Sequence, residues 1–287
     1  MLSGYFTIKL KASGLVKLLG IFFIYCLPEV IYSVATAKDT LHTIRSLMFF
    51  SNSHFWFVKT YLYLFLVSPM INLWLNNASE RQRWYMVAVF GFVSCYMAMT
   101  KGDTSMSNGK NLTNFIYFYL IGNQLYYYKD RWMTVKTGTL LLFYIAFSCL
   151  IMAVEYYTYG NVIGKIVKSL SFPYHSPLIL VGAVLFFMII GKQHIQSRFI
   201  NYVASSSLAI YLIHANRPYL PELHSYVCSL MQDLTNSYII LLAMYFAYTI
   251  LVIAACVFLD KLLTPVWTII NHLGKRLQNK YAKIMTI

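Results

Sequence analysis

Two short stretches place ionisable and aromatic side chains at helical spacing. Trp56, Lys59 and Tyr63 fall at i, i+3 and i+7, and Ser207, Tyr211 and His214 at i, i+4 and i+7. Each set therefore shares one helix face. Lys59 lies in an apolar run, Ser53 to Leu75, long enough to cross a bilayer. A charge in hydrocarbon is costly unless paired or hydrated, so it marks a functional site or an ion pair, with Glu29 or Glu155 as the partners at hand. The histidines His54, His175 and His214 supply the side chain that takes or gives a proton near neutral pH. Two polar-aromatic faces either line a cavity or pack against other helices, and both readings stay open. A metal site is not expected, because no pair of histidines shows the i, i+4 ligand spacing.

The elements that must position these residues are membrane helices. Hydrophobic residues are 59% of the 287 and charged residues 11%, and the mean hydropathy is +0.59. An ordinary soluble domain carries about a quarter charged residues. Measured against the roughly 20 residues needed to cross a bilayer, eight candidate spans follow: 14 to 35, 54 to 75, 83 to 100, 112 to 128, 138 to 158, 175 to 191, 199 to 215 and 237 to 259. The expected fold class is all-α, a polytopic helical bundle. Pro177 stands where a first turn tolerates proline, and Tyr126, Tyr127 and Tyr128 read as an interfacial aromatic belt.

Of the 23 Lys and Arg, 15 fall in segments on the side of the N-terminus, 7 on the other side, and Lys59 in a span. The excess predicts both termini in the cytoplasm. The net charge of +14 follows from these loops and forms no stripe suited to nucleic acid. Five cysteines without paired spacing read as small core residues. Pro28 and Glu29 interrupt the first apolar run, so it is expected to remain as an uncleaved span. No repeat or linker divides residues 1–287, which are read as a single domain whose basic tail, 260–287, lies as a short helix on the inner surface.

In this order the residues resemble the acyltransferase 3 family of bacterial membrane proteins. Met1-Leu2-Ser3-Gly4-Tyr5-Phe6 is similar to the family's Ser-Gly-Tyr-Phe, and Lys11 to Lys17 to the basic run after it. His54-Phe55-Trp56-Phe57 through Pro69, and Asn114 through Gly122, resemble its next two aromatic helices. Ser176-Pro177 and Ser205 through His214 are similar to its Ser-hydrophobic-Tyr-Leu-hydrophobic-His signature.

The resemblance implies a ten-helix O-acyltransferase of the bacterial inner membrane, taking an acyl group from acyl-CoA to a surface carbohydrate and holding no bound cofactor. It places a catalytic arginine and histidine on a first helix upstream of Met1, so this chain is expected to lack the first two helices. Within the chain, His54 and His214 are the catalytic candidates. Glu29, Trp56, Lys59, Tyr63, Glu155 and Tyr211 are candidates for a substrate cavity at the outer side. Lys9, Lys11 and Lys17 are candidates for the acyl-CoA side, where their charge suits phosphates or merely follows the topology. The alternatives are an inactive remnant, a noncatalytic subunit, and a carrier for a lipid-linked sugar.

Overall fold

The computed structural model describes residues 1–35, 55–97, 109–158, 174–193, 195–214 and 220–280. His54 and the loop cations Lys38 and Arg45 lie outside them, and so do the positions 98 to 100 that close the expected third span. Every regular element among the described residues is a helix. In chain order these are Leu2–Tyr5, Ala12–Ala35, Trp56–Asn77, Glu80–Phe92 continuing as the π-turn Val93–Met97, Leu112–Tyr127 and Lys129–Met133. Then follow Thr137–Thr158, Pro177–Gly191, Arg198–Ala204, Ser207–His214, Leu220–Leu234, Tyr238–Leu262 and Thr264–Lys280. The all-α membrane class is thereby met.

Four of these helices, over Ala12–Tyr32, Trp56–Asn77, Thr137–Thr158 and Tyr238–Leu262, are long and apolar enough to cross a membrane, and Pro177–Gly191 is a shorter apolar helix. The helix ends follow local chemistry. Ser79 and Gln82 form a capping box, with Gln82 Oε1 accepting from Ser79 N at 2.8 Å. Ser176 Oγ accepts from Leu178 N at 3.1 Å, and Pro177 takes the first turn as its spacing predicts. Pro69 is inside the Trp56–Asn77 helix and has no N–H to offer Phe65 O; Ser68 Oγ donates to that carbonyl instead, at 2.8 Å.

One expectation needs correction. The seventh span, 199 to 215, is two helices, Arg198–Ala204 and Ser207–His214, broken at the paired serines. Ser206 N closes a short turn onto Val203 O at 3.0 Å, Ser205 Oγ donates to Tyr202 O at 2.7 Å, and Ser206 Oγ leaves for the Asp260 carboxylate. Serine side chains compete with the helical ladder in this way. Between the seventh and eighth expected spans lies a further helix, Leu220–Leu234.

The contacts gather the chain into two compact units, residues 1–9 with 63–196 and residues 10–62 with 197–287. The first is organised on Leu112–Tyr127. Leu2–Tyr5 lies against this helix at glycine-to-backbone distance, and after Thr7, at φ 57, the chain ties itself down by three hydrogen bonds. Ile8 N donates to Tyr119 Oη (3.1 Å), Tyr119 Oη to Asn72 Oδ1 (2.5 Å), and Asn72 Nδ2 to Ile8 O (2.7 Å).

The second unit has a core of Leu18, Phe22, Tyr25 and Cys26 from one helix, Phe55, Val58 and Leu62 from the next, and Ala209 and Leu212 from Ser207–His214. The tail helix Thr264–Lys280 runs antiparallel to Ala12–Ala35. Ser13 Oγ donates to Gln278 Oε1 at 2.6 Å at one end, and Tyr25 and Trp267 meet at 5.9 Å further along. The expected tail helix exists, and it packs on another helix as well as carrying its basic residues.

Candidate functional site

In the second unit the polar side chains form two groups. The first is built on Asp260, in the last turn of Tyr238–Leu262. Its Oδ1 accepts from Tyr25 Oη at 2.9 Å and from Trp267 Nε1 at 3.1 Å, and its Oδ2 from Ser206 Oγ at 2.7 Å. Three neutral donors, on two other helices and in the Ser205-Ser206 turn, converge on one carboxylate, and Tyr25 and Ser206 are buried. A carboxylate that gathers donors from separate parts of the unit ties them together, so its role is to fix helices.

The second group is built on His214, the last residue of its helix. His214 Nδ1 lies 3.3 Å from Ile210 O, one turn back, and 3.6 Å from Cys256 Sγ. Its ring stacks on His224, with centroids 5.5 Å apart and planes at 15°. His224 Nδ1 is 2.6 Å from Tyr248 Oη. Both histidines are partly exposed, and in each Nε2 is the nitrogen without a bond to a described residue. Two imidazoles that keep one nitrogen open can accept and donate protons.

The residues expected from the sequence divide between the units. Trp56, Lys59, Tyr211 and His214 belong to the second, where Phe57 meets Tyr211 at 5.4 Å between ring centroids. Glu29 is also in that unit, and its side chain is outside the described set. Tyr63, Glu155 and His175 belong to the first. His175 is buried in a packed turn: its carbonyl accepts from Cys95 Sγ at 3.2 Å, and the neighbouring Tyr174 carbonyl from Asn114 Nδ2 at 3.2 Å. Lys9, Lys11 and Lys17 are exposed, the first in one unit and the other two in the second.

Lys59 sits in the first turn of its helix, not deep in a span, and among the described residues its Nζ has no hydrogen bond or ion pair. A cation there opposes the helix dipole. Lys59→Met is therefore expected to change stability by less than about 0.5 kcal/mol, read as the melting temperature in detergent. A fall of several degrees would show that the ammonium has a partner after all.

Tyr126 and Tyr127 end Leu112–Tyr127 and Tyr128 follows, with basic residues beside them. Arg83 lies 4.8 Å from the Tyr127 ring and Arg131 4.9 Å from that of Tyr128. Trp84 Nε1 donates to Tyr128 Oη at 2.8 Å, and that hydroxyl donates to Glu80. Such a rim suits a membrane–water boundary.

The family model described as an acyltransferase domain, that of the acyltransferase 3 family, matches residues 1–261. The chain belongs to this family. No curated protein and no solved structure matches it. Membership in the acyltransferase 3 family implies acyltransferase activity in a chain whose helices cross a membrane. The matched segment contains the His214 group and ends just after Asp260, so that Trp267 of the first group lies beyond it.

Sequence reasoning singled out His214 but missed His224, Tyr248 and Asp260. His224 lies on an amphipathic helix too polar to stand out as an apolar membrane run. Tyr248 is one of 25 tyrosines. Asp260 was treated as a boundary of the tail, although a carboxylate at the end of a 25-residue apolar helix was a signal for a buried acceptor.

Proposed function

We propose that this acyltransferase 3 chain transfers an acyl group, acetyl foremost, from acyl-CoA to a hydroxyl of a surface carbohydrate at the bacterial inner membrane, with His214 as the general base. The observation that carries the reading is His214 itself. It ends the family's signature segment, a backbone carbonyl and a sulfur hold its Nδ1, and its Nε2 stays open. An acceptor hydroxyl gives its proton to this nitrogen as its oxygen attacks the thioester carbonyl. The C–O bond forms, the tetrahedral intermediate collapses with cleavage of the C–S bond, and the departing thiolate takes the proton from the imidazolium.

The exposed Lys11 and Lys17 of the second unit supply positive charge for the phosphates of the donor, on the side that the excess of Lys and Arg assigns to the cytoplasm. Trp56 and Tyr211 offer flat apolar faces of the kind that sugar rings pack against.

The test uses vesicles containing the full chain, supplied with labelled acetyl-CoA and envelope carbohydrate, with alkali-labile label on the carbohydrate as the readout. Loss of a general base costs about 100- to 10,000-fold, and that is the fall expected for His214→Gln at unchanged melting temperature. Full transfer by His214→Gln would remove the base assignment. Wild-type vesicles that transfer nothing would remove the acyl-transfer reading.

A further inference from the structure

Within the first unit, four helices have an end at one level. Lys192, just past Pro177–Gly191, donates through Nζ to Met133 O at 2.6 Å and to Val135 O, shortly before Thr137–Thr158 begins. Trp132 Nε1 donates to Leu125 O at 2.8 Å, in the last turn of Leu112–Tyr127. Arg83, in the first turn of Glu80–Phe92, lies over the ring of Tyr127. Thr137–Thr158 is long and apolar enough to cross a membrane, so the level at which it starts is where that membrane meets water. Two guanidiniums stand there with donors to spare. Arg83 is 4.8 Å from the Tyr127 ring and gives one N–H, from Nε, to Ala78 O at 3.2 Å. Arg131 is 4.9 Å from the Tyr128 ring, and its side chain makes no hydrogen bond among the described residues. Glu80 accepts from Tyr128, and neither Glu80 nor Asp130 forms an ion pair with an arginine among the described residues. A guanidinium held over a ring and given no carboxylate keeps its planar fork of N–H groups for an acceptor outside the chain.

We infer that Arg83 and Arg131 bind the headgroup phosphates of anionic phospholipids, in the leaflet on the side that the excess of Lys and Arg assigns to the cytoplasm. Each guanidinium takes a phosphate of its own, so the two need not converge on one point. Depth and surroundings favour a lipid over a soluble phosphate. The arginines stand where a membrane helix begins, and the exposed rings of Trp84, Tyr126 and Tyr127 beside them are of the kind that settles among headgroups. Charge sets the kind of lipid. Arg81, Lys129 and Lys136 belong to the same segments, so that cations outnumber Glu80 and Asp130, and a net positive rim complements a net negative headgroup. Phosphatidylcholine brings its own cation to the same phosphate, which is how the rim tells the two headgroups apart. If the arginines merely followed the topology, a cation at any exposed position of these segments would serve equally well.

The test needs no enzymatic activity. The full chain, in a neutral detergent, is equilibrated with equal amounts of phosphatidylglycerol and phosphatidylcholine of the same acyl chains, and the lipids that stay bound are counted by mass spectrometry of the intact complex. The buffer is about 0.5 M ammonium acetate, in which the Debye length is only about 4 Å and diffuse attraction is screened. Wild type is expected to hold phosphatidylglycerol in excess by about 10-fold or more, each guanidinium contributing about five-fold. Arg83→Gln with Arg131→Gln should abolish most of the preference. Arg81→Gln with Lys129→Gln removes the same charge from positions without a ring and should leave it within about two-fold of wild type. Arg83→Lys with Arg131→Lys keeps the charge without the fork and should fall between the two. Should the first pair fail to fold, Arg131→Gln alone, exposed and with no hydrogen bond to lose, is expected to cost about five-fold. Excess glycerol phosphate should not displace the lipid, whose chains hold it in the micelle. Equal losses in the two glutamine pairs, or a wild type without preference, would overturn the proposal. Displacement by glycerol phosphate down to the phosphatidylcholine level would overturn the lipid as the source of the phosphate.

Discussion

Asp260→Ala is expected to lower the melting temperature of the detergent-solubilised protein by about 10 °C, the largest fall among single substitutions in the second unit. The carboxylate accepts from Tyr25 at 2.9 Å, Ser206 at 2.7 Å and Trp267 at 3.1 Å. Alanine strands all three donors, and Tyr25 and Ser206 are too buried for water to take over readily. A stranded buried donor costs about 1–3 kcal/mol, so the loss is on the order of 3–5 kcal/mol after partial relaxation. Asp260→Asn should recover part of it, because the amide oxygen still accepts while the amide nitrogen faces a donor. Asp233→Ala, at an exposed position, is the control and should leave the melt unchanged. An Asp260→Ala melt within about 2 °C of wild type would show that the three donors find other acceptors and that this carboxylate does not join the helices.

This carboxylate also explains where the sequence stopped being legible. Apolar length gave the helices Ala12–Ala35, Trp56–Asn77, Thr137–Thr158 and Tyr238–Leu262, because about 20 apolar residues in a row have few other uses. Proline and serine chemistry gave the start at Ser176-Pro177. The break at Ser205-Ser206 was not legible, since paired serines inside an apolar run are compatible with a continuous span. Only Asp260, 54 residues away, draws the Ser206 hydroxyl out of the ladder. His224 was hidden for the same reason: its partner Tyr248 is 24 residues further on, in another helix. Helical periodicity reports which residues share a face, as it did for Ser207, Tyr211 and His214, and it carries no information on which faces meet.

Lys59 shows what a span prediction leaves open. Its charge made it conspicuous, and its hydropathy window placed it within a span, as the Trp56–Asn77 helix has it, where it occupies the first turn. A window average over about 20 residues cannot tell a helix end from a helix middle. The family motifs around it were more informative, because they record packing. Ser3-Gly4-Tyr5-Phe6 and the segment ending at Gly122 are far apart in the sequence, and in the structure they are two sides of one contact.

That contact gives the second large effect. A methyl group built on Gly122 would lie 2.1 Å from Met1 O and 2.9 Å from Met1 C, and one built on Gly4 would lie 1.9 Å from Tyr119 O. These neighbours are backbone atoms, so no side-chain rotation can relieve the clash, and the helix Leu2–Tyr5 must move off Leu112–Tyr127. With it would go the edge contacts of Tyr5 with Tyr126 at 5.3 Å and the hydrogen bonds that join Ile8 to Tyr119 and Asn72. Overpacking of side chains alone costs about 1–3 kcal/mol, and a backbone clash stands at or above the top of that range. Gly122→Val is therefore expected to destabilise the first unit by roughly 3 kcal/mol or more and to open residues 1–9 to protease in intact vesicles. Gly182→Ala supplies the internal comparison: nothing lies within 4 Å of an added methyl there, and the position is helical. It should gain about 0.5–1 kcal/mol from helix propensity. If Gly122→Val and Gly182→Ala melt together and cleave alike, the docking of the Ser-Gly-Tyr-Phe segment on Leu112–Tyr127 is wrong. If only Gly122→Val opens residues 1–9, these two motifs stand together in the sequence because each provides the missing side chain that lets the other's backbone approach.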